Sequence, residues 1–249
     1  MGLARSSMVT AALALLAATL SARAQQPAPG VSLPDGPQVF RTGAAAIRVT
    51  ALKGFVYPWA LAFLPNGDML VTEQGRNTLR IVRNGVLDPR PITGLPQGIT
   101  STRRDTAGVE VAVHPRFTEN RFVYVAYWKP KPGANIQTAV LLRARFDGGA
   151  ALADVREIFQ SSSWTDGPSA ARIVFGRDGK IYLAIGAPGF AERAGETSWA
   201  QNPGEHGGKV LRLNDDGSVP EDNPFVGRPG HKPEINALGC VPAETGRHH

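Results

Sequence analysis

The recurrence of one hairpin pattern constrains the fold of this chain more than any other feature. Residues 172–186 read RIVFGRDGKIYLAIG, in which apolar runs flank Asp178-Gly179, a dipeptide that favours the positive φ angles of a two-residue hairpin. Residues 60–73 and 109–127 have the same form, and the first of them turns at Asn66-Gly67. The turn centres lie roughly 53 and 59 residues apart, near the upper end of the repeat lengths of propeller blades. The sequence therefore predicts repeated antiparallel meanders.

Such meanders can form a sandwich, a barrel or a propeller. Strands of a simple sandwich recur about every 8–12 residues without a longer repeat, so the recurrence of a whole multi-strand unit favours a β-propeller. No long 3.6-residue apolar period follows the N-terminal segment, and we expect an all-β fold. We place the second unit at about 109–148 and the third from about Glu157 to Asp216-Gly217. Propellers close with about four to eight blades, and this chain supplies about three plus the start of a fourth.

The N-terminal segment, residues 1–24, has the features of a signal peptide. Arg5 is followed by an apolar stretch at 9–20, too short for a comfortable membrane span, and then by the small-x-small site Ala22-Arg23-Ala24. An uncleaved anchor is the alternative. We expect a periplasmic or secreted protein without a membrane span after cleavage. Residues 25–45 are predicted to be a flexible linker and 46–249 an incomplete propeller.

The composition excludes several classes of function. The basic residues are scattered, so the net charge of +6 does not indicate nucleic-acid binding. The single cysteine, Cys240, rules out an intramolecular disulfide and any C-x-x-C site. The aspartates at 215, 216 and 222 do not fit a calcium-loop pattern and are predicted to be solvated turn residues. We therefore assign no metal ligand from the sequence alone.

Other motif candidates have plainer interpretations. Gly207-Gly208-Lys209 fits a turn before a strand better than a phosphate-binding loop, and Ser169 fits a loop residue better than a catalytic nucleophile. His114 precedes a proline at a strand end, where we expect it to cap a turn. His206 could face a central channel, but a surface loop is the favoured interpretation.

Five segments, in order along the chain, resemble a known family. They are PWALAFLPNGDMLVTE, GVLDPRPITGLP, HPRFTENRFVYVAYW, RIVFGRDGKIYLAIG and GKVLRLNDDGSVPEDNPFVGRPGHKPEI. They resemble landmarks of the glucose/sorbosone dehydrogenase family over about 49–238, most specifically at 208–234. The resemblance implies a six-bladed propeller that holds pyrroloquinoline quinone (PQQ), calcium and a sugar at one end of its channel. It also implies quinone-dependent oxidation of the CH–OH group of aldoses, with an electron acceptor as a further partner.

The family's catalytic positions are only partly matched. Its general base, a histidine four residues before the arginine of the RIVFG-like strand, corresponds here to Pro168, which has no proton to exchange. Asp166 lies close by and is a candidate replacement. Asp105 occupies a position where the family often has glutamine, and it is a second candidate. Ala187 stands where the family usually has aspartate. The cofactor-binding residues are unknown.

The C-terminal sequence also departs from the family. Where the family continues with His-Arg-Asn and further blades, this chain reads CVPAETGRHH from Cys240. We expect a truncated member whose open sheet edges favour self-association. The alternative to a sugar oxidoreductase is a non-catalytic or truncated propeller that serves at most as a binding module.

Overall fold

The structure is a computed structural model that describes residues 32–74, 78–96, 109–166, 171–186 and 199–239. Within these ranges fourteen strands form four antiparallel sheets, and helical structure is limited to α1 (Phe117–Asn120) and a 3-10 turn at Trp199–Gln201. The predicted all-β fold is confirmed. No helix in these ranges is long and apolar enough to cross a membrane. The chain divides into two compact units, Met1–Ala51 and Leu52–His249.

The described part of the first unit is a hairpin of β1 (Gln38–Arg41) and β2 (Ala46–Val49). The Thr42 hydroxyl holds its turn, donating to the Ala45 carbonyl at 2.9 Å and accepting from the Ala45 N–H at 3.0 Å. The prediction that 25–45 is a linker without strands was wrong for β1. Composition could not reveal β1, because a strand in a Pro- and Gly-rich segment depends on a partner strand that composition does not specify. β2 pairs with β1 and with no propeller strand of the described residues.

The second unit contains three four-stranded meanders, here called blades 1, 2 and 3, and each uses its strands in chain order. Blade 1 consists of β3 (Pro58–Phe63), β4 (Met69–Glu73), β5 (Thr78–Arg83) and β6 (Val86–Leu87). Blade 2 consists of β7 (Glu110–Val113), β8 (Phe122–Pro130), β9 (Gln137–Arg145) and β10 (Ala153–Gln160). Blade 3 consists of β11 (Ala171–Phe175), β12 (Ile181–Ile185), β13 (Lys209–Leu213) and β14 (Ile235–Leu238).

One strand belongs to a different blade from the predicted one. The EIFQSS segment, expected to open the third unit, lies at the end of β10 and pairs with β9 as the outer strand of blade 2. The fourth strand of blade 3 is β14 instead. A strand pattern identifies which side chains alternate but not the neighbour to which the strand hydrogen-bonds, so the assignment failed at this boundary. The predicted start of a fourth blade, from residue 240, lies outside the described residues.

Blade 2 is packed between the other two blades. Its first strand, β7, contacts both β3 and β11, so the first strands of the three blades form an inner layer. Along β8, Val123 and Val125 pack towards blade 1, whereas Tyr124 and Ala126 pack towards blade 3. All four side chains are at most 1% exposed. This alternation with a period of two residues buries both faces of blade 2.

The turns at Asn66-Gly67 and Asp178-Gly179 occur where predicted but differ in type. In each dipeptide only the glycine has a positive φ, 88° for Gly67 and 73° for Gly179, which is typical of a type I turn followed by a left-handed glycine. The side chain before each glycine accepts a hydrogen bond from the residue after it, at 3.2 Å for Asn66 and 3.1 Å for Asp178. These local bonds stabilise the longer turn.

Candidate functional site

The candidate site lies at the end of the inner layer where β7 and β11 begin, here called the loop end. Because the strands of each blade are antiparallel, β8, β10 and β12 finish at the same end where β7, β9, β11 and β13 start. The segments 97–108, 167–170 and 187–198, which stand next to these strands in the sequence, lie outside the described residues. The candidate site is therefore built from the described ends of the strands at the loop end.

The structure describes one of the four positions singled out from the family comparison. Asp166 is exposed, directly after Thr165, whose backbone N–H and carbonyl pair with Gln137 at 2.9 and 2.7 Å. Asp105 and Pro168 lie outside the described residues, and so does Ala187. Asp166 therefore lies at the loop end, and the roles of Asp105 and Asp166 remain predictions.

A buried carboxylate at the loop end escaped the sequence analysis. Glu110 is the first residue of β7, and its side chain is 8% exposed. Its two carboxylate oxygens lie 3.4 and 3.3 Å from one guanidinium nitrogen of Arg172, on the neighbouring inner strand β11. Arg172 is 60% exposed, so the pair joins a buried acid to an accessible cation. Among the described residues, the second Glu110 oxygen receives no hydrogen bond of good geometry.

The environment of Glu110 favours its protonated form. Burial raises the pKa of Glu110, and the nearby Arg172 offsets part of this rise. A raised carboxyl pKa is a common property of groups that exchange protons in enzymes. The sequence did carry a signal, because an acid interrupts the apolar run Val109–Val113. The signal was missed because the spacing of the repeat does not show which end of a strand faces a channel.

His206 links blades 2 and 3 at the loop end. It is 3% exposed, so the favoured interpretation as a surface-loop residue was wrong. Its Nδ1 accepts from the Ser162 N–H at 3.0 Å, which leaves Nε2 to donate to Glu234 at 3.4 Å. This hydrogen bond is the main cause of the lowered pKa of Glu234. Residues from blade 2 cover the ring, including Phe159 at a centroid distance of 5.3 Å. The sequence around His206 could not predict its burial, because the residues that cover the ring come from another blade.

Lys209 shows that the Gly207-Gly208-Lys209 motif is a turn that leads into a strand, as predicted. Lys209 is the first residue of β13 and is 2% exposed. Its ammonium group donates to the Trp199 carbonyl and, at 3.0 Å, to the Gly207 carbonyl. Burial lowers its pKa to about 8, while the charge of Glu205 acts in the opposite direction. The lysine therefore satisfies backbone carbonyls at the loop end and presents no open phosphate cradle.

His114 lies at the opposite end of blade 2 and caps a turn, which confirms its prediction. Its Nδ1 accepts from the Arg116 N–H at 2.9 Å and lies 2.9 Å from the Asn120 side-chain nitrogen. Its Nε2 faces Asp215 at 3.9 Å. Burial lowers the pKa of His114, and Asp215 partly opposes the effect. Its position removes it from the candidate site.

The described residues differ in how well they suit the two implied cofactors. They contain no group of three or more His, Cys, Asp or Glu residues arranged to hold a metal ion, so this part of the chain does not fit calcium. Arg172 suits the carboxylates of a quinone cofactor, since an exposed planar guanidinium can bind a carboxylate through two hydrogen bonds. The fit to PQQ therefore rests on one accessible cation.

Comparison with known proteins identifies the family of this chain. Residues 55–241 match the family model described as Glucose / Sorbosone dehydrogenase. The chain belongs to the glucose/sorbosone dehydrogenase family. The blades are accordingly those of the family's β-propeller.

Individual family members match over most of the chain. An uncharacterized protein of Synechocystis is 40% identical over 204 residues, which are 77% of this chain and 48% of that protein. The aldose sugar dehydrogenase YliI of Escherichia coli is 30% identical over 78% of this chain and 51% of its own length. Quinoprotein glucose dehydrogenase B of Acinetobacter calcoaceticus is 26% identical over 67% of this chain and 39% of its own length.

The solved structures of the family agree with the sequence matches. A crystal structure of a glucose dehydrogenase superposes with a TM-score of 0.62 and 31% identity, covering 73% of this chain and 51% of its own. The chain thus spans about half the length of the family members that it matches.

Proposed function

We propose that this chain carries part of a quinone-dependent oxidoreductase that acts on the CH–OH group of aldose sugars at the loop end. Membership of the glucose/sorbosone dehydrogenase family supports the type of reaction. The similarity to an aldose sugar dehydrogenase and to a quinoprotein glucose dehydrogenase supports an aldose substrate and PQQ. We further propose a periplasmic or secreted location, in keeping with the predicted signal peptide.

The observation that carries the proposal is the pair Glu110 and Arg172. Oxidation of an alcohol carbon releases a hydride and the hydroxyl proton, and the proton needs an acceptor. Pro168 cannot accept it, whereas Glu110 is a buried carboxylate at the start of β7, on the inner layer. Arg172 would hold a cofactor carboxylate at the same place. The quinone, when bound, supplies the hydride acceptor.

Asp166 and Asp105 remain alternative proton acceptors. Asp166 is exposed to water at the loop end, whereas Glu110 is shielded from it. A carboxylate in a dry environment is a stronger base than one in water, since burial disfavours its charged form. We therefore expect Glu110 to accept the proton and Asp166 to contact sugar hydroxyls at most.

A quinone titration coupled to an activity assay tests the proposal. The purified chain would be titrated with PQQ in the presence of calcium and then assayed by dye reduction over a panel of aldoses. We expect saturable binding and sugar-dependent reduction, and Glu110→Gln should lower turnover by about 10²-fold or more while quinone binding persists. The matched control Asp166→Asn should change turnover by less than about threefold. Unchanged turnover in Glu110→Gln would exclude Glu110 as the acceptor.

The second candidate function is a non-catalytic propeller that acts as a binding module. Pro168 at the position of the family's base is the observation that favours it. In that case the folded protein would bind no PQQ, and dye reduction would be absent with every aldose. Circular dichroism on the same sample establishes that the protein is folded, so that loss of binding is not mistaken for unfolding.

A further inference from the structure

A cleft between blades 2 and 3, here called the turn-end cleft, lies at the end of the strands opposite to the loop end. It has a volume of about 470 Å³, which is within the range of roughly 300–1,000 Å³ typical of small-molecule sites. Its walls are formed by connections between the strands of these two blades. The polar lining, all of it within the described residues, includes His114, Asp178, Lys180, Asn214, Asp215 and Asp216.

The blade 2 wall of the cleft supplies a buried hydrogen-bond donor without an acceptor. His114 is 6% exposed, and its Nδ1 accepts from the Arg116 N–H at 2.9 Å and lies 2.9 Å from the Asn120 side-chain nitrogen. The ring hydrogen is therefore on Nε2. Nε2 faces the Asp215 carboxylate at 3.9 Å, which is too long for a hydrogen bond, and no other group in the described ranges bonds to it. Because a buried donor is costly to leave unpaired, an oxygen atom bound in the cleft would stabilise this one.

The blade 3 wall supplies an acceptor whose backbone is fixed across the boundary between the blades. The main-chain carbonyl of Asp215 accepts from the Tyr124 hydroxyl and from the Arg143 guanidinium, each at 3.0 Å. The carboxylate of Asp215 is 43% exposed and faces the buried imidazole of His114. The cleft therefore presents a donor on one blade and an acceptor on the other, with a gap between them.

This gap selects a hydroxyl group. An oxygen atom can lie about 2.8 Å from both His114 Nε2 and the Asp215 carboxylate, because these two atoms are 3.9 Å apart. That oxygen must accept a hydrogen bond from the imidazole and donate one to the carboxylate. A hydroxyl group does both, whereas a sulfate ion cannot donate and an ammonium ion cannot accept.

Two further side chains of the cleft have hydrogen-bonding capacity to spare. Lys180 donates to the Asn214 side-chain oxygen at 2.6 Å, and an ammonium group has three N–H donors. Asp216 uses one carboxylate oxygen, Oδ1, within its own turn. Asp178 is different, since Arg212 already pairs with it at 2.9 Å. Lys180 and Asp216 therefore add a donor and an acceptor for hydroxyl groups next to the first one.

We propose that the turn-end cleft binds a small saccharide, with one hydroxyl between His114 and Asp215 and its neighbours bound by Lys180 and Asp216. A sugar ring holds several hydroxyls at fixed spacing, so fewer groups lose freedom on binding than if separate waters filled the same positions. The cleft is open and polar, and we expect a dissociation constant on the order of millimolar. The site is distinct from the loop end and does not depend on catalysis there.

Nuclear magnetic resonance of the ¹⁵N-labelled chain at neutral pH tests the site. The probe is methyl α-D-glucopyranoside, whose anomeric hydroxyl is blocked and cannot be oxidised. We expect a saturable shift of the Gly179 amide and of the His114 Nε2–H resonance. Sodium sulfate and tetramethylammonium chloride at matched ionic strength should leave both resonances unmoved. The absence of a saturable shift at Gly179, or an equal response to sulfate, would overturn the proposal.

Two matched variants assign the binding to the cleft. Asp215→Ala should raise the dissociation constant by at least about fivefold, because it removes the hydroxyl acceptor and keeps the main-chain carbonyl bonds. Asp147→Ala is the control, since Asp147 is a 64% exposed acid at the same end of blade 2 and should leave the constant unchanged. An equal constant in Asp215→Ala and the wild type would contradict the proposal.

The same titration separates this site from the candidate active site. Shifts confined to the loop end, with the Glu110 amide as reporter, would place the saccharide at the candidate active site alone and overturn the proposal. A shift at Gly179 in a protein without quinone-dependent dye reduction would support the turn-end cleft while the proposed enzymatic function fails.

Discussion

Glu110 and Arg172 connect two inner strands through a carboxylate that is nearly buried and a guanidinium group that is largely open to solvent, 3.3 Å apart. The asymmetry matters because burial raises the pKa of Glu110 more than the exposed cation lowers it. A group whose pKa is raised on folding stabilises the fold below its unfolded pKa of 4.5 and loses that contribution as the pH rises through its folded value.

Glu110→Gln should therefore weaken the pH dependence of stability. Relative to the wild type, the variant should gain free energy of unfolding between pH 4.5 and pH 7, because the wild type loses the contribution of its raised Glu110 pKa over that range. Urea unfolding at the two pH values measures the change. Glu119→Gln, at a residue 64% exposed, is the control and should show no such difference. An equal response of the two variants would contradict the prediction.

His114 should make the protein less stable in mild acid. Its pKa is lowered by burial, so the unfolded chain takes up a proton near pH 6.5 while the folded protein resists it. Stability attributable to His114 should thus fall as the pH drops below about 6.5. His114→Gln should remove this part of the pH dependence, measured by thermal unfolding between pH 7.5 and pH 5. His231→Gln serves as the control, and an unchanged profile for His114→Gln would refute the assignment.

Glu73 and Arg80 form a buried ion pair whose disruption should be costly. Burial opposes ionisation of Glu73, but hydrogen bonds from Thr78, the Val56 N–H and Arg80 outweigh it and hold its pKa below the usual value. Glu73→Ala should lower the free energy of unfolding by about 3–5 kcal/mol, because Arg80 would remain buried without its partner. The double variant Glu73→Leu with Arg80→Met should recover at least half of that loss. Equal losses in both would show that packing, and not charge, dominates.

Gly217 should tolerate alanine far less well than Gly67. Both have a φ near 87°, so alanine causes the same backbone strain at either position, about 1 kcal/mol. At Gly67 the added Cβ meets open space, whereas at Gly217 it overlaps the Ile158 carbonyl oxygen of blade 2. Gly217→Ala should therefore lose at least about 2 kcal/mol more than Gly67→Ala in urea unfolding. Similar losses would mean that the loop moves away at little cost.

The repeat and its turns could be predicted from the sequence because they depend on local chemistry. Asn66-Gly67 and Asp178-Gly179 require glycine at one position and a short polar side chain beside it, and both requirements are visible in the printed sequence. The assignment of β10 failed because hydrogen bonding between strands is not local. The same limit explains β1, which forms only with β2 as its partner.

The candidate site was harder to predict than the fold. Glu110 and Arg172 are 62 residues apart, and only the packing of β7 against β11 brings them together. His206 was assigned to a surface loop because its own segment is polar, yet Ser162 and Phe159 from the preceding blade cover it. Functional side chains in this chain come from different blades, and their separation in sequence conceals their contacts.

The burial of both faces of β8 determines where local unfolding of the protein begins. Blade 2 can expose its amides only after a neighbouring blade has moved away, whereas blades 1 and 3 each have one neighbour in the described chain. In arrays of units that contact only their neighbours, opening begins at the ends. Amide hydrogens of Val123–Ala126 should therefore exchange with solvent more slowly than those of β3 or β14, and the slowest of them should report the free energy of global unfolding.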